Sequence, residues 1–213
     1  YEVLLADPGI DIVSVCTPPH LHAKIAVAAA EAGKHICLEK PIALNPEDLR
    51  RLRDAVRASG IKSVVSFVLR WNPLFETIKA FQADGGIGRV FYAECDYVHG
   101  CGPSLPQFDW MIRKDTGGSA MLLGGCHAVD ALRWFVGSEA TEVCALATRG
   151  GGEFSGAFEY SPTEVFIVRF ASGAVGKVTC TLEASMPYLF NILLLGDKGS
   201  VRNNQLWSKD KFP

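Results

Sequence analysis

Three short segments of the chain combine residue types that could bind a ligand or move a proton. The first holds Cys16, Thr17, Pro18 and His22 and directly follows the apolar run 11–16. Ligands of doubly wound sheets bind at the carboxyl ends of parallel strands, and the N-terminus of a following helix favours anionic groups. The segment could therefore bind a ligand with anionic groups. An ordinary strand-to-helix turn is the alternative, and the residues alone favour it slightly.

The second segment is Glu39-Lys40-Pro41, which follows the apolar run 35–38. A lysine amine can position or polarise a substrate hydroxyl. A solvated turn stiffened by proline is the alternative. Two neighbouring strands that each end in polar residues favour a ligand site over two ordinary turns.

The third segment lies far downstream, where Gly117-Gly118-Ser119 precedes His127 and Asp130. Spacing of three places His127 and Asp130 on one face of a helix, and Arg133 continues the row. Histidine is suited to proton transfer near neutral pH. A core histidine bonded to Asp130 is the alternative, and taken alone this segment favours it.

The first 70 residues alternate between strand and helix patterns. Short apolar runs predict strands at 11–16, 35–39 and 62–68, and helices are predicted at 20–32 and 46–59. Asn45 is expected to cap the second of these helices, and Gly60 follows its end. Short links between such elements imply right-handed crossovers and parallel strands. This part of the chain is therefore predicted to be α/β, a partial doubly wound sheet.

After residue 70 the pattern changes to α+β. Helices are predicted at 73–83 and 119–135, and the second should pack on one face of a sheet. Strands follow one another without intervening helices, which predicts a largely antiparallel sheet. The predicted strands are 89–98, 141–147, 163–170, 175–184, 189–195 and 201–207. The domains are accordingly placed at 1–70 and 71–213.

Charge and hydropathy exclude several classes of partner. The 213 residues carry 21 basic and 23 acidic side chains, a net charge of −2. This balance argues against nucleic acid or an anionic membrane as the main partner. No apolar run approaches the roughly 18 residues of a membrane span.

The seven cysteines are odd in number, and most lie inside apolar runs. We expect reduced thiols that act as small core residues in a cytoplasmic protein. Cys95, His99 and Cys101 offer zinc-binding atoms, but structural zinc sites usually need four ligands and use other spacings. No metal is predicted.

Taken together, the segments resemble the Gfo/Idh/MocA oxidoreductases, relatives of glucose–fructose oxidoreductase and inositol dehydrogenase. The resemblance runs along the whole chain in order. It is carried by Thr17-Pro18, His22, Gly33-Lys34-His35, Glu39-Lys40-Pro41, Gly117-Gly118-Ser119 and Gly125-Cys126-His127-x-x-Asp130. It implies a Rossmann domain for NAD or NADP, followed by a domain that closes over the nicotinamide. The implied substrates are sugars, cyclitols or related polyols.

The resemblance also implies roles for individual residues. Lys40 would contact the reacting hydroxyl and the cofactor, while His127 would exchange the hydroxyl proton. The two side chains are expected to converge on one cleft from different domains. The implied cofactor-binding residues are Cys16, Thr17, Pro18, His22, Glu39, Lys40, Pro41, Arg70 and Asn72. The implied substrate-binding residues are Lys40, Trp110, Arg113 and His127.

Two departures from the family pattern matter. The fingerprint Gly-x-Gly-x-x-Gly should end a first strand and open a helix. The glycine clusters at 85–88 and 150–152 do not have that context. The resemblance also implies further strands and a helix after the last residue, so that the second domain is incomplete at its C-terminus. We therefore expect the sequence to be truncated at both ends relative to its family. Secondly, Leu123 stands where many family enzymes carry an aspartate four residues before the histidine.

The leading function is an NAD(P)-dependent oxidoreductase that moves a hydride to or from a hydroxyl-bearing carbon. A binding or regulatory protein without turnover is one alternative. Another is an enzyme that uses transient oxidation for elimination or glycoside cleavage. Fold-level resemblance does not decide among them.

One face of the predicted second sheet is expected to bind a second copy of the chain. In strand 189–195, leucines at 189, 193 and 195 make the face opposite the core apolar, interrupted by Asn191. An apolar patch of this kind predicts a homodimer or a tetramer. The alternative is that C-terminal segments of the same chain cover it.

Overall fold

A computed structural model describes residues 1–148 and 150–211. The helices are α1 (Glu2–Ala6), α2 (His22–Glu31), α3 (Pro46–Ser59), α4 (Pro73–Ala83), α5 (Phe108–Met111) and α6 (Cys126–Val136). The strands are β1 (Ile12–Val15), β2 (His35–Leu38), β3 (Ser63–Val65), β4 (Val90–Val98), β5 (Ala140–Ala147), β6 (Thr163–Phe170), β7 (Val175–Thr181), β8 (Leu189–Gly196), β9 (Gly199–Arg202) and β10 (Gln205–Ser208). Two compact units result, one from residues 1–67 with 109–118, the other from 68–108 with the described chain after 118.

The N-terminal unit contains the predicted parallel sheet. Its strand order is β1-β2-β3, with Val15 beside Leu38 and Leu38 beside Val65. Helix α2 is rich in alanine, which favours the helix and allows close packing. Its buried alanines meet the inner side chains of the strands in one core. The core residues are Val15, Ile25, Ala26, Ala29, Ala30, Ile36, Leu38 and Leu52.

Helix α3 begins and ends where its sequence predicts. The Asn45 side chain accepts a hydrogen bond from the Asp48 backbone N–H at 2.8 Å, and Pro46 occupies the first helical position. Gly60 ends the helix with a φ of 68°, a left-handed conformation that glycine adopts without steric cost.

The third predicted strand is shorter than its apolar run suggests. Residues 62–68 were expected to be extended, but β3 covers Ser63–Val65. The backbone N–H of Phe67 turns back to the carbonyl of Val65 at 2.7 Å, and a 3₁₀ helix follows at Val68–Trp71. A tight turn that satisfies the backbone locally therefore replaces the last residues of the strand.

The C-terminal unit is built on a seven-stranded sheet of order β10-β9-β8-β4-β7-β6-β5. The pair β4–β7 is parallel, and the other neighbouring pairs are antiparallel. Helix α6 packs on β4 and β7, as the sequence predicts. At this contact a Cβ on Gly176 would lie 2.8 Å from the Leu132 side chain. Glycine in β7 thus lets the helix approach the sheet closely.

Two predicted elements of this unit are wrong in detail. The helix expected at 119–135 starts as a π-helix, Met121–Gly125, and becomes α-helical at Cys126. The strand expected at 201–207 is a hairpin of β9 and β10. Its turn is made by Asn203, whose φ is 52°, and asparagine is one of the few residues that tolerate this conformation.

The face of this sheet opposite α6 carries a polar cluster at its centre. Lys177 donates to Glu94 at 3.0 Å, and Asn191 donates to Asp96 at 3.0 Å. Tyr92 also donates to Glu94. The sequence predicted a leucine patch interrupted by Asn191, because it did not pair β8 with the acidic residues of β4.

None of the helices within the described residues is long and apolar enough to cross a membrane.

Candidate functional site

In the N-terminal unit, two of the predicted segments leave the same edge of the parallel sheet. Thr17 follows β1, and Glu39 and Lys40 follow β2. The backbone N–H of Glu39 donates to the carbonyl of Val15 at 3.0 Å, so the two strand ends are tied directly. The carboxyl edge of such a sheet is where doubly wound folds bind their ligands.

The His22 ring lies between these two loops and contacts both. Its ring is 1% exposed. Nε2 lies 2.7 Å from the carbonyl oxygen of Thr17, and Nδ1 lies 2.7 Å from the carbonyl oxygen of Pro41. Both ring nitrogens thus lie at hydrogen-bond distance from backbone carbonyls of the two loops for which the resemblance implies cofactor binding.

Thr17 presents an unsatisfied polar atom at this edge. Its Oγ1 is buried and makes no hydrogen bond with any part of the chain that the structure describes. A buried hydroxyl without a partner is costly unless a ligand or water completes it. Beside it, the exposed Cys16 thiol lies 3.3 Å from the Ser14 hydroxyl. The edge therefore fits a polar ligand such as the ribose–phosphate part of a dinucleotide.

A hydrogen bond within the Glu39-Lys40-Pro41 loop helps to fix its conformation. The Lys40 backbone N–H donates to the Glu39 carboxylate at 3.1 Å. Glu39 and Lys40 are partly exposed, and Pro41 is buried. The loop is thus anchored at Pro41, one residue beyond the predicted catalytic lysine.

Trp110 and Arg113 lie on the segment 109–118, which clusters with the N-terminal unit. The Thr116 hydroxyl donates to the Trp110 carbonyl at 2.6 Å. Arg113 is exposed and donates to Asp115 at 3.1 Å, and this hydrogen bond lowers the pKa of the Asp115 carboxyl. A Cβ on Gly117 would lie 2.3 Å from the Met111 carbonyl, so only glycine fits this turn.

In the C-terminal unit, His127 lies in the first turn of α6, immediately after the π-helix. Its side chain is 8% exposed. The Tyr97 ring lies nearly parallel to the imidazole, with a centroid separation of 6.2 Å and an interplanar angle of 15°. Burial raises the pKa of the Tyr97 phenol. Single π-turns inside helices are frequent at functional sites.

Glycines make the π-helix fit its surroundings. A Cβ on Gly124 would lie 2.5 Å from the Tyr97 ring, and one on Gly125 would lie 2.2 Å from the Met121 sulfur. The same two glycines weakened the helix pattern in the sequence. Their packing role explains them, and it is not visible without the structure.

Asp130 and Arg70 form a two-point ion pair. The Arg70 Nε and one terminal nitrogen each donate to a different Asp130 oxygen at 2.8 Å. The hydrogen bond to Asp130 raises the pKa of Arg70, and the guanidinium lies 5.2 Å from the Trp134 ring centroid. Both Asp130 oxygens thus accept from Arg70, one turn beyond His127.

Two further predicted positions have structural partners of their own. The Asn72 side chain caps α4 by accepting from the Leu74 N–H at 2.9 Å. Leu123, the position at which the resemblance implies an aspartate in many family enzymes, is buried. The sequence did not predict the ion pair between Arg70 and Asp130 or the stacking of Tyr97 on His127. In each case the two residues are far apart in the chain, and no short sequence motif marks the contact.

The cysteines are all thiols. Cys95, Cys101 and Cys180 are buried, whereas Cys16 and Cys144 are exposed, so the expectation of core residues holds for only some of them. The Cys101 sulfur lies 3.1 Å from His99 Nδ1.

Family comparisons match both parts of the chain. The model described as "Oxidoreductase family, NAD-binding Rossmann fold" matches residues 1–67. The model described as "GFO/IDH/MocA C-terminal domain" matches residues 75–202.

Characterised relatives are similar along most of this chain. It is 34% identical to levoglucosan dehydrogenase of Pseudarthrobacter phenanthrenivorans, over 86% of this chain and 52% of that protein. It is 29% identical to myo-inositol 2-dehydrogenase of Thermotoga maritima, over 93% of this chain and 58% of that protein. The chain thus spans a little over half the length of these relatives.

Solved structures agree with the fold. Levoglucosan dehydrogenase in complex with NADH and levoglucosan superposes with a TM-score of 0.88 at 32% identity, covering 98% of this chain and 60% of that one. The WlbA dehydrogenase of Bordetella pertussis, in complex with NADH and UDP-GlcNAcA, has a TM-score of 0.88 at 26% identity, over 100% of this chain and 63% of that one. With both family models matched in order and the fold shared, the chain belongs to the GFO/IDH/MocA oxidoreductase family.

Proposed function

We propose that the protein is an NAD(P)-dependent oxidoreductase that transfers a hydride between the nicotinamide and a hydroxyl-bearing carbon of a sugar, cyclitol or related polyol. The observation that carries the proposal is the polar edge of the parallel sheet, where Thr17 and Lys40 follow adjacent strands in register. Relatives named for levoglucosan and inositol oxidation support the substrate class.

Residues 1–70 would bind the dinucleotide, and residues 71–213 would carry the proton-transfer group and the association surface. Thr17 Oγ1 would donate to or accept from the cofactor, which would complete its hydrogen bonding. The rest of the same edge would be formed by Cys16, Pro18, Glu39 and Pro41. His22 would lie between its two loops. When bound, the nicotinamide accepts or returns the hydride.

Lys40 and His127 would divide the proton chemistry. The Lys40 ammonium would bind the substrate oxygen and stabilise the charge that develops on it. In the oxidative direction, His127 would accept the hydroxyl proton as the carbinol C–H leaves as hydride. Arg70 and Asn72 would border the nicotinamide end, and Trp110 and Arg113 would contact the substrate.

A binding protein without turnover remains the second candidate, because one observation favours it. Leu123 is buried at the position where many family enzymes have aspartate. A Leu123→Asp variant tests this. If the natural residue limits catalysis, the variant should gain activity. If turnover is absent in both and NADH still binds, the binding function is favoured.

The open face of the second sheet would join two copies of the chain. One row across this face contains Ile167, Lys177, Glu94 and Leu193. The centre of this face holds Lys177 beside the acidic pair Glu94 and Asp96. A two-fold axis through it would bring Lys177 of each copy towards the acidic pair of the other, so that opposite charges face each other. Light scattering of the full-length protein should show a dimer or tetramer, and Ile167→Asp should weaken it. A monomer at micromolar concentration would refute this.

A cytoplasmic location is part of the proposal. All seven cysteines are thiols, two of them exposed, which is the state expected in a reducing compartment.

The direct test of function is an NAD(P) reduction assay with the full-length protein. Levoglucosan, myo-inositol and scyllo-inositol form the first substrate panel, each with NAD and NADP. Turnover with any of them supports the proposal. No turnover, combined with no NADH or NADPH binding by fluorescence, would overturn it.

A further inference from the structure

We infer that His22 is a positioning residue that sets the spacing between the two loops of the candidate cofactor edge. The inference rests on the function proposed above, but its primary test needs no cofactor or substrate. It differs from the role first expected for His22, which was contact with the cofactor.

The position of the ring supports this role. His22 is 1% exposed at the start of α2, and both of its ring nitrogens already face backbone carbonyls. The two nitrogens lie 2.7 Å from carbonyl oxygens of Thr17 and Pro41. These carbonyls belong to loops separated by 24 positions in sequence. A rigid imidazole therefore fixes the distance between them.

The loops held in this way carry the atoms that matter most for the proposed function. Thr17 carries the buried Oγ1 without a partner in the described chain. Pro41 directly follows Lys40. A small shift of either loop would move the Thr17 hydroxyl or the Lys40 amine, and misplacement of a catalytic group by about 1 Å can cost roughly 100-fold in rate.

Each ring nitrogen faces a carbonyl oxygen, which can only accept a hydrogen bond. The tautomer of the ring sets which of the two carbonyls receives the hydrogen. In either tautomer the ring fills the space between the two loops and keeps them apart by its own width.

Hydrogen exchange of the full-length protein without ligand is the first experiment. His22→Phe keeps a ring of similar size but removes both ring nitrogens. Amides in residues 16–21 and 39–44 should exchange about tenfold faster, as expected from losing the hydrogen bonding of the ring, while the rest of the sheet is unchanged. His20→Gln is the matched control, since His20 is exposed in the adjacent 3₁₀ turn, and it should leave both segments unchanged.

Unchanged exchange in both loops of a folded His22→Phe protein would overturn the inference. Should that variant fail to fold, His22→Asn takes its place, because the shorter side chain cannot reach both carbonyl oxygens. Faster exchange of the amides in either loop of the folded variant supports the inference, and unchanged exchange in both loops contradicts it.

Kinetics separate positioning from simple packing. His22→Phe should lower kcat at saturating NAD and also raise the Kd for NADH, whereas His22→Gln, which keeps a donor, should restore part of both. Equal values of kcat and Kd in all three proteins would contradict positioning. Absence of any turnover in the natural protein would count against the proposed function and leave the exchange result to judge His22.

Discussion

The two candidate site regions are held in place by different kinds of contact. In the N-terminal unit, His22 and the loops after β1 and β2 are joined through backbone carbonyls. In the C-terminal unit, the helix that carries His127 is tied by a side-chain ion pair between Arg70 and Asp130 and by close glycine packing. Changes to exposed groups of the first region should therefore affect catalysis alone, whereas changes in the second should also affect stability.

The largest expected effect is at Lys40. Lys40→Ala should lower kcat by about 10²- to 10⁴-fold, the usual contribution of a positioned group in proton or charge transfer, with little change in melting temperature. Lys24→Ala is the control, because Lys24 is an exposed lysine of the same unit. Equal turnover of the Lys40→Ala and natural proteins would remove Lys40 from the mechanism.

The ion pair in the C-terminal unit should matter for stability. Asp130→Ala leaves the partly buried Arg70 without its carboxylate, and we expect a loss of about 1–2 kcal/mol, a figure reduced because Arg70 is 39% exposed. Arg133→Ala breaks an exposed, solvent-screened pair with Glu139 and should cost clearly less than Asp130→Ala. Urea unfolding measures both, and equal losses would show that burial of the first pair contributes nothing.

Each unit has a helix with an asparagine N-cap, and losing either cap should lower the free energy of unfolding by a similar amount. The two caps therefore allow the two regions to be compared. Asn45→Ala and Asn72→Ala each remove a side-chain acceptor at a helix N-terminus and should each cost about 1 kcal/mol. Asn72 also lies where the nicotinamide end is proposed, so its variant alone should raise the KM for NAD. Parallel changes in KM for both variants would place Asn72 outside the site.

The smallest effect is a pH dependence from the open sheet face. Burial works against ionisation of Glu94, but hydrogen bonds from Tyr92 and Lys177 outweigh it and lower the pKa of this carboxyl. Its contribution to stability is therefore present above the ordinary pKa of glutamate and lost as the pH falls through the lowered value. Unfolding free energies measured from about pH 7 to about pH 3.5 should fall less steeply, by under about 1 kcal/mol, in Glu94→Gln. An unchanged slope would contradict the assignment.

The sequence predicted the parts of the fold that depend on local pattern. The parallel strands, helix α3 with its Asn45 cap and Gly60 end, and helix α6 against the second sheet follow from periodicity and turn chemistry. The site segments after β1 and β2 were also identified in this way, although their roles remain proposals.

What the sequence did not predict depends on contacts between distant residues. The acidic pair of β4 faces Lys177 only because β4 and β7 are neighbours in parallel, which succession along the chain did not suggest. The Arg70–Asp130 pair spans 60 residues. The Asn203 turn was different, because asparagine beside asparagine is a usable local sign of a hairpin.

The central claim is hydride transfer from a carbinol carbon, and isotope transfer tests it most directly. The full-length protein should be given NAD(P) and a polyol of the relative-derived panel deuterated at the carbinol carbons. The account predicts that deuterium appears at C4 of the reduced nicotinamide, on one face, and that Lys40→Ala slows the transfer by the same factor as it lowers kcat. Turnover without deuterium on the nicotinamide, or NADH binding without any transfer, would contradict it.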